Sequence, residues 1–96
     1  MAELVVEKSG PELFGFHLQQ MQGSKHKQET LKFNKDGKAT RQLAKGLYAL
    51  GWALTGAPGD EWKYSVTLDG EEVETNEGTL EDELTEGGAI RVEVKK

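Results

Sequence analysis

Cysteine is absent from the chain, and so are long apolar runs. Without cysteine, disulfide bridges, thiol catalysis and cysteine-rich zinc sites are excluded. No apolar run approaches the roughly 20 residues that a membrane-spanning helix needs, so we predict no membrane partner. Glycine runs with the spacing of a phosphate-binding or dinucleotide-binding loop are missing too. We therefore expect a soluble protein with no cofactor and no bound metal.

Size and composition predict one folded domain over residues 1–96. A chain of this length has room for one modest core and little room for a deep cleft between two lobes. Hydrophobic residues make up 35% and charged residues 30% of the chain, which is typical of a folded protein rather than a disordered one. The opening residues are too acidic for a signal peptide, so we expect a cytoplasmic location, or a secreted one if the domain was excised from a larger protein.

The net charge of -5 is divided unevenly along the chain. Residues 1–45 contain eight Lys or Arg and five Asp or Glu, whereas residues 46–96 contain four and twelve, so the two parts carry +3 and -8. Such polarity can steer a charged partner or favour head-to-tail self-association.

The strongest strand pattern lies between residues 45 and 70. Its second arm alternates polar and apolar positions, and the apolar residues are Trp62, Tyr64, Val66 and Leu68. This is the period of a half-buried strand. A Gly-Ala-Pro-Gly sequence precedes that arm and Asp-Gly follows it, both typical of turns. The stretch therefore predicts a β-hairpin.

Two other runs fit either a strand or a helix. In residues 10–22 the apolar positions alternate as in a strand, although a helix-capping pattern is also present. In residues 41–55 leucines recur every three or four positions as in a helix, although Gly46 and Gly51 interrupt the run. We favour strands in both, because glycine inside a helix costs about 1 kcal/mol relative to alanine. Helices in both runs would instead make the protein α+β.

The remaining segments complete the predicted fold. Residues 4–8 and 89–94 are predicted to be the first and last strands, and residues 29–43 a second hairpin around a Lys-Asp-Gly turn. The acidic segment 71–88 fits short strands or one helical turn. Six to eight short strands predict an all-β protein, a small antiparallel β-sandwich of immunoglobulin-like or transthyretin-like proportions.

No group of residues in the sequence indicates catalysis, and we expect that the protein is not an enzyme. His17 and His26 have no evident catalytic partner, and we interpret them as a solvent-facing strand residue and a loop residue. Acidic pairs in residues 71–83 could act as general acids or bases, but a solubilising role fits so acidic a segment better. The oxygen-rich side chains there fail the spacing of a helix-loop-helix calcium site.

Nucleic acid is also a poor candidate partner. Residues 25–45 contain seven of the twelve Lys and Arg residues of the chain. Phe33 is the one Phe, Tyr or Trp residue in this stretch. Stacking on bases normally requires several aromatic side chains, and the negative net charge opposes binding of a polyanion.

The aromatic residues provide the sharper hypothesis for a ligand site. The candidate ligand-binding residues are Trp52, Trp62, Tyr48 and Tyr64. An exposed ring could stack on a sugar while polar neighbours bind its hydroxyl groups. All four rings share strand faces with aliphatic residues, so we favour a place in the core.

These observations lead to two expectations about function. The first is a non-catalytic interaction module that binds a protein partner or copies of itself through sheet edges or charged faces. The alternative is a carbohydrate-binding module that uses a surface aromatic residue. The sequence names neither partner.

Overall fold

The structure is a computed structural model that describes residues 2–21, 28–81 and 84–95. The described residues form eight strands and no helix. They therefore contain no helix that is long and apolar enough to cross a membrane. The strands are β1 (Ala2–Ser9), β2 (Leu13–Gln20), β3 (Gln28–Thr30), β4 (Lys38–Leu43), β5 (Gly46–Thr55), β6 (Glu61–Leu68), β7 (Glu71–Thr79) and β8 (Thr85–Val94).

The strands form two four-stranded antiparallel sheets that pack against each other. Sheet A has the order β4-β1-β6-β7, and sheet B has the order β3-β2-β5-β8. The all-β prediction and the small β-sandwich are therefore confirmed. The strand interpretation of the two ambiguous runs is confirmed as well, because β2 falls within residues 10–22 and β5 within residues 41–55.

The predicted central hairpin is wrong. β5 belongs to sheet B and pairs with β2 and β8, whereas β6 belongs to sheet A and pairs with β1 and β7. Each strand already has a neighbour on both sides, so neither has an edge left for the other. Residues 56–60 carry the chain from one layer to the other, and the Asp60 carboxylate accepts a hydrogen bond from the Ala57 N–H at 2.9 Å in this turn.

The predicted hairpin over residues 29–43 is wrong for a related reason. β3 pairs with β2 in sheet B, whereas β4 pairs with β1 in sheet A. Between them Leu31 is buried and Phe33 packs against the core, so the segment crosses the edge of the sandwich instead of turning back on itself. The Asn34 side chain accepts hydrogen bonds from the backbone of Asp36 and Lys38 in the turn that follows.

Alternating apolar residues from both sheets fill the core. The buried set includes Leu4, Val6, Phe14, Phe16, Leu18, Leu50, Leu54, Val66, Leu80, Ile90, Val92 and Val94. Trp52 of sheet B meets Trp62 of sheet A across the interface, with ring centroids 5.1 Å apart. Such ring pairs contribute about 0.5–1.5 kcal/mol beyond the apolar area that they bury.

Glycines in the two outer strands give the tryptophans their space. Gly78 of β7 lies opposite Trp62 in the register, and Gly88 of β8 lies opposite Trp52. A Cβ atom on Gly78 would come within 2.7 Å of the Trp62 ring, and one on Gly88 within 3.0 Å of the Trp52 ring. Both strands can therefore cover an indole ring because they carry no side chain at that point.

We expect Gly78→Ala to destabilise the protein by about 1–3 kcal/mol, because the added methyl group has to displace a ring packed between two sheets. The measurement is the free energy of unfolding from urea titrations followed by tryptophan fluorescence.

The matched control is Gly15→Ala on the outer face of sheet B, where an added Cβ atom would meet nothing within 4 Å. We expect it to be neutral or to stabilise the protein by up to about 1 kcal/mol. Equal stabilities of the two variants would contradict the close contact between Gly78 and Trp62.

Candidate functional site

Three of the four candidate ligand-binding residues lie together, and one lies apart. Trp52, Trp62 and Tyr64 form an aromatic trio, in which Trp52 is 5.1 Å from both Trp62 and Tyr64 by ring centroids. Tyr48 lies further along β5, where its hydroxyl group donates a hydrogen bond to the Ala44 carbonyl at 2.8 Å. The sequence alone gave no reason to separate Tyr48 from the other three.

All four rings are buried. Tyr64 is 3%, Tyr48 6%, and Trp52 and Trp62 are each 7% exposed. Stacking on a sugar requires an open ring face, whereas the faces of the trio contact other rings and the glycines of β7 and β8. Carbohydrate recognition through these residues stays a prediction, and it would require the outer strands to move off the rings.

The trio lies behind the side of the sandwich where β7 and β8 are the outermost strands, which we call the open flank. The register places Glu74 opposite Val66, and Asn76 opposite Tyr64, on β7. It places Glu86 opposite Leu54 on β8. Since paired residues of antiparallel strands point to the same face, Glu74, Asn76 and Glu86 project on the side where the two sheets face each other. We call these three residues the rim of the open flank.

The rim is linked to the trio through the Tyr64 hydroxyl group. Burial raises the pKa of Tyr64 above its usual value, and the nearby Glu74 carboxylate adds to the increase. The polar groups of Asn76 and Trp52 beside the hydroxyl act on this pKa in the opposite direction. The indole N–H of Trp62 is buried without a hydrogen-bond partner among the described residues. The trio is therefore a mainly apolar cluster with few polar contacts.

The backbone of β8 is open along the flank. The Gly56 N–H donates to the Leu84 carbonyl at 3.0 Å, in register with the ladder between β5 and β8. Backbone groups of an antiparallel strand point alternately to its two sides. The N–H and C=O groups of the even-numbered residues of β8 therefore point to β5. The backbone groups that point away from the sheet belong to the odd-numbered residues Thr85, Gly87, Ala89, Arg91 and Glu93.

The four edge strands of the described residues are protected to different extents. β3 has three residues, β4 has six and includes Lys38 and Arg41, and β7 carries four glutamates. The ladder between β6 and β7 also contains a bulge near Val66. Short length, charge and bulges disfavour indiscriminate pairing at a sheet edge, although two edges of opposite charge can still pair with each other. β8 is ten residues long, pairs with β5 in an unbroken register, and has Gly-Gly-Ala-Ile at its centre.

The outer face of sheet B next to β8 has small side chains. Ala49, Gly51 and Ala53 of β5 lie beside Gly87 and Ala89 of β8 in the register. Ala49, Gly51, Ala53 and Ala89 line a shallow depression of about 290 Å³, and the polar residues at its border are His17, Gln19 and Gln28. The His17 Nδ1 atom lies 3.2 Å from the Thr30 hydroxyl oxygen. His17 is exposed, in agreement with the predicted solvent-facing position.

Lys8 closes the sandwich at the end of β1. Its ammonium group lies 4.5 Å from the ring centroid of Phe33 and 5.5 Å from that of Phe14, and it donates a hydrogen bond to the Phe14 carbonyl. Burial lowers the pKa of Lys8. The two phenyl rings favour the charged form, so we assign Lys8 a structural role in which it covers the core and satisfies a carbonyl group.

Within residues 2–21, 28–81 and 84–95 there is no group of three or more His, Asp or Glu side chains that could hold a metal ion. His26, for which we predicted a loop position, and also Asp82 and Glu83 lie outside the described residues. No family model, no curated protein and no solved structure matches the chain.

We expect the stability that Tyr64 contributes to decrease above pH 10. In the unfolded chain its hydroxyl group ionises near its ordinary pKa of 10.0, whereas the raised pKa in the folded state keeps it protonated. The contribution is therefore complete below that pH and is lost as the pH rises towards the folded-state pKa. Tyr64→Phe removes this dependence.

The measurement is the free energy of unfolding of both proteins at pH 8 and pH 11. At pH 8 the variant should be less stable by about 1 kcal/mol because it loses the polar contacts of the hydroxyl group. The difference should be smaller at pH 11. A difference that stays constant or grows would contradict the raised pKa.

Proposed function

We propose that the protein is a non-catalytic interaction module that binds an extended segment of a protein partner as an added strand on β8. The supporting observation is the edge of β8 itself, which is ten residues long, unbroken by a bulge and lined by backbone groups that no other described strand pairs with. In strand addition, main-chain hydrogen bonds provide affinity, and the side chains beside them provide specificity.

The geometry of the edge suits such a segment. An added strand would lie about 4.8 Å beyond β8 and would bond to Gly87, Ala89 and Arg91 on the open side. The outward side chains at positions 87 and 89 are a hydrogen atom and a methyl group, so they leave the outer face of the added strand unobstructed. Its inner side chains would pass over the rim of the open flank.

The charge of the flank favours a basic segment. The rim contains Glu74 and Glu86, and β7 also carries Glu71, Glu72 and Glu77. Lysine or arginine on the inner side of an added strand would face the rim carboxylates of Glu74 and Glu86, and the net charge of -5 would steer a cationic segment towards the protein. An acidic segment would be repelled.

The test is an NMR titration of the isotope-labelled protein with a capped peptide of alternating valine and lysine, seven residues long. We expect shifts of the β8 amides and slower hydrogen exchange at Gly87, Ala89 and Arg91. A peptide with glutamate in place of lysine is the matched control, and we expect it to bind at least about tenfold more weakly, since each charge pair at an exposed edge contributes up to about 1 kcal/mol.

Two proline variants locate the binding edge. Ala89→Pro removes an N–H group that points away from sheet B, and we expect it to abolish binding without disturbing the β5–β8 ladder. Thr30→Pro places the same change on β3 at the other edge of the sheet and should leave binding intact. Peptide binding that survives Ala89→Pro, or no effect of the lysine peptide on β8, would contradict strand addition at this edge.

A further inference from the structure

The two edges of sheet A carry opposite charge. β4 contains Lys38 and Arg41 and no acidic residue. β7, at the other edge of the same sheet, contains four glutamates and no basic residue. The charge asymmetry along the chain therefore becomes, in the fold, a basic edge and an acidic edge of a single sheet.

We infer that a second copy of the chain binds head-to-tail, with β4 of one copy paired to β7 of the next. Neighbouring strands of sheet A are antiparallel throughout the order β4-β1-β6-β7, so β4 and β7 run in opposite directions. A second copy in the same orientation thus presents its β4 antiparallel to β7 of the first. The alternation of strand directions continues from one copy into the next.

Both edges have backbone groups available for this ladder. The Lys8 N–H donates to the Gly37 carbonyl at 2.8 Å, so by alternation the backbone groups of Lys38 and Thr40 point away from β1. On the other edge, the Leu80 N–H donates to the Asp60 carbonyl at 2.8 Å. By the same alternation, the backbone N–H and C=O groups of Thr75 and Glu77 point away from β6. The four residues can therefore form hydrogen-bonded pairs between copies.

One register pairs the side chains favourably on both faces of the sheet. With Lys38 opposite Glu77 of the next copy, Thr40 falls opposite Thr75 and Arg41 falls opposite Glu74. Opposite charges and threonine pairs are the cross-strand combinations that stabilise antiparallel sheets. A shift by two residues in either direction keeps the hydrogen-bond pattern but removes the pair between Lys38 and Glu77.

The position of Arg41 supports this contact. Its guanidinium group already binds the Glu29 carboxylate at 2.9 Å, and this ion pair joins β4 of sheet A to β3 of sheet B. Both side chains remain 47% exposed. The guanidinium group is thus held at the outer side of the β3–β4 edge with donors left for a second carboxylate.

A symmetric pair of β8 edges is the main competing arrangement for two copies. It would bring two β7 strands, each with four glutamates, to the same junction. Like charges at such a junction oppose association. The head-to-tail arrangement instead places each acidic edge against a basic one. It uses β4 and β7, so it stands independently of strand addition at β8.

A head-to-tail contact does not close on itself. Each added copy leaves one β4 edge and one β7 edge unpaired, so the assembly grows as an open chain unless the rotation between copies forms a ring. We therefore expect the average mass to increase with concentration at low ionic strength. High salt should decrease it, because at about 1 M salt the screening length is only about 3 Å.

The test is analytical ultracentrifugation of the full chain at low salt. Lys38→Glu and Glu77→Lys should each weaken association by at least about tenfold, because one attractive pair becomes repulsive in every contact. The double variant should restore it, since the pair is then reversed. Glu12→Lys is the matched control for Glu77→Lys. It makes the same change from a negative to a positive side chain, but in the exposed β1–β2 connection, and it should retain association.

Two proline variants test the direction of assembly. Thr40→Pro blocks the β4 edge and Thr75→Pro blocks the β7 edge, in both cases at an N–H group that points away from the sheet. We expect each variant alone to be monomeric. An equimolar mixture should form a 1:1 heterodimer and nothing larger, because one intact edge remains on each copy.

Several outcomes would overturn the inference. They are a wild-type protein that stays monomeric at about 1 mM and low salt, association that survives both proline variants, and a double charge variant that is not restored. Association that is lost with Ala89→Pro instead would assign the contact to β8. Peptide binding at β8 remains a separate measurement, so failure of one proposal leaves the other intact.

Discussion

The contact between Trp52 and Trp62 is the interaction on which the open flank depends. It joins the two sheets near their β7 and β8 edges, with ring centroids 5.1 Å apart. Two large rings at this point require that the strands covering them carry no side chain, and Gly78 and Gly88 meet this requirement. The same packing buries Tyr64 and leaves the acidic rim in front of the aromatic trio. The core and the candidate interaction surface are therefore parts of one arrangement.

The sequence predicted which side of β2, β5, β6 and β8 is buried, but it did not predict which strands are neighbours. Alternation is a property of a single strand, and it correctly placed Trp62, Tyr64 and Val66 on an inner face. Pairing depends on which strand fills each edge, and this is decided by the whole sheet. β5 and β6 are consecutive and separated by a turn sequence, yet each already has two other neighbours. A turn between layers resembles a hairpin turn in composition, so the local signal could not distinguish them.

The candidate surfaces were predictable only in part. The uneven charge along the chain suggested an interaction through charged faces, and the fold converts it into two opposed edges of sheet A. The open edge of β8 has no signal of its own, because a run such as residues 89–94 is equally compatible with a central strand. Buried positions for the aromatic residues followed from alternation. Their grouping into a trio with Tyr48 apart required the packing of the two sheets.

The closeness of the two indoles has an optical consequence. The chain contains two tryptophans, and both belong to the same cluster beneath β7 and β8. Chromophores at this separation couple in their excited states, so the near-ultraviolet circular dichroism of the protein reports the distance between the sheets at a single place. Tryptophan fluorescence likewise comes from one flank only. The molecule therefore carries a built-in probe at the side where we propose that its partners bind.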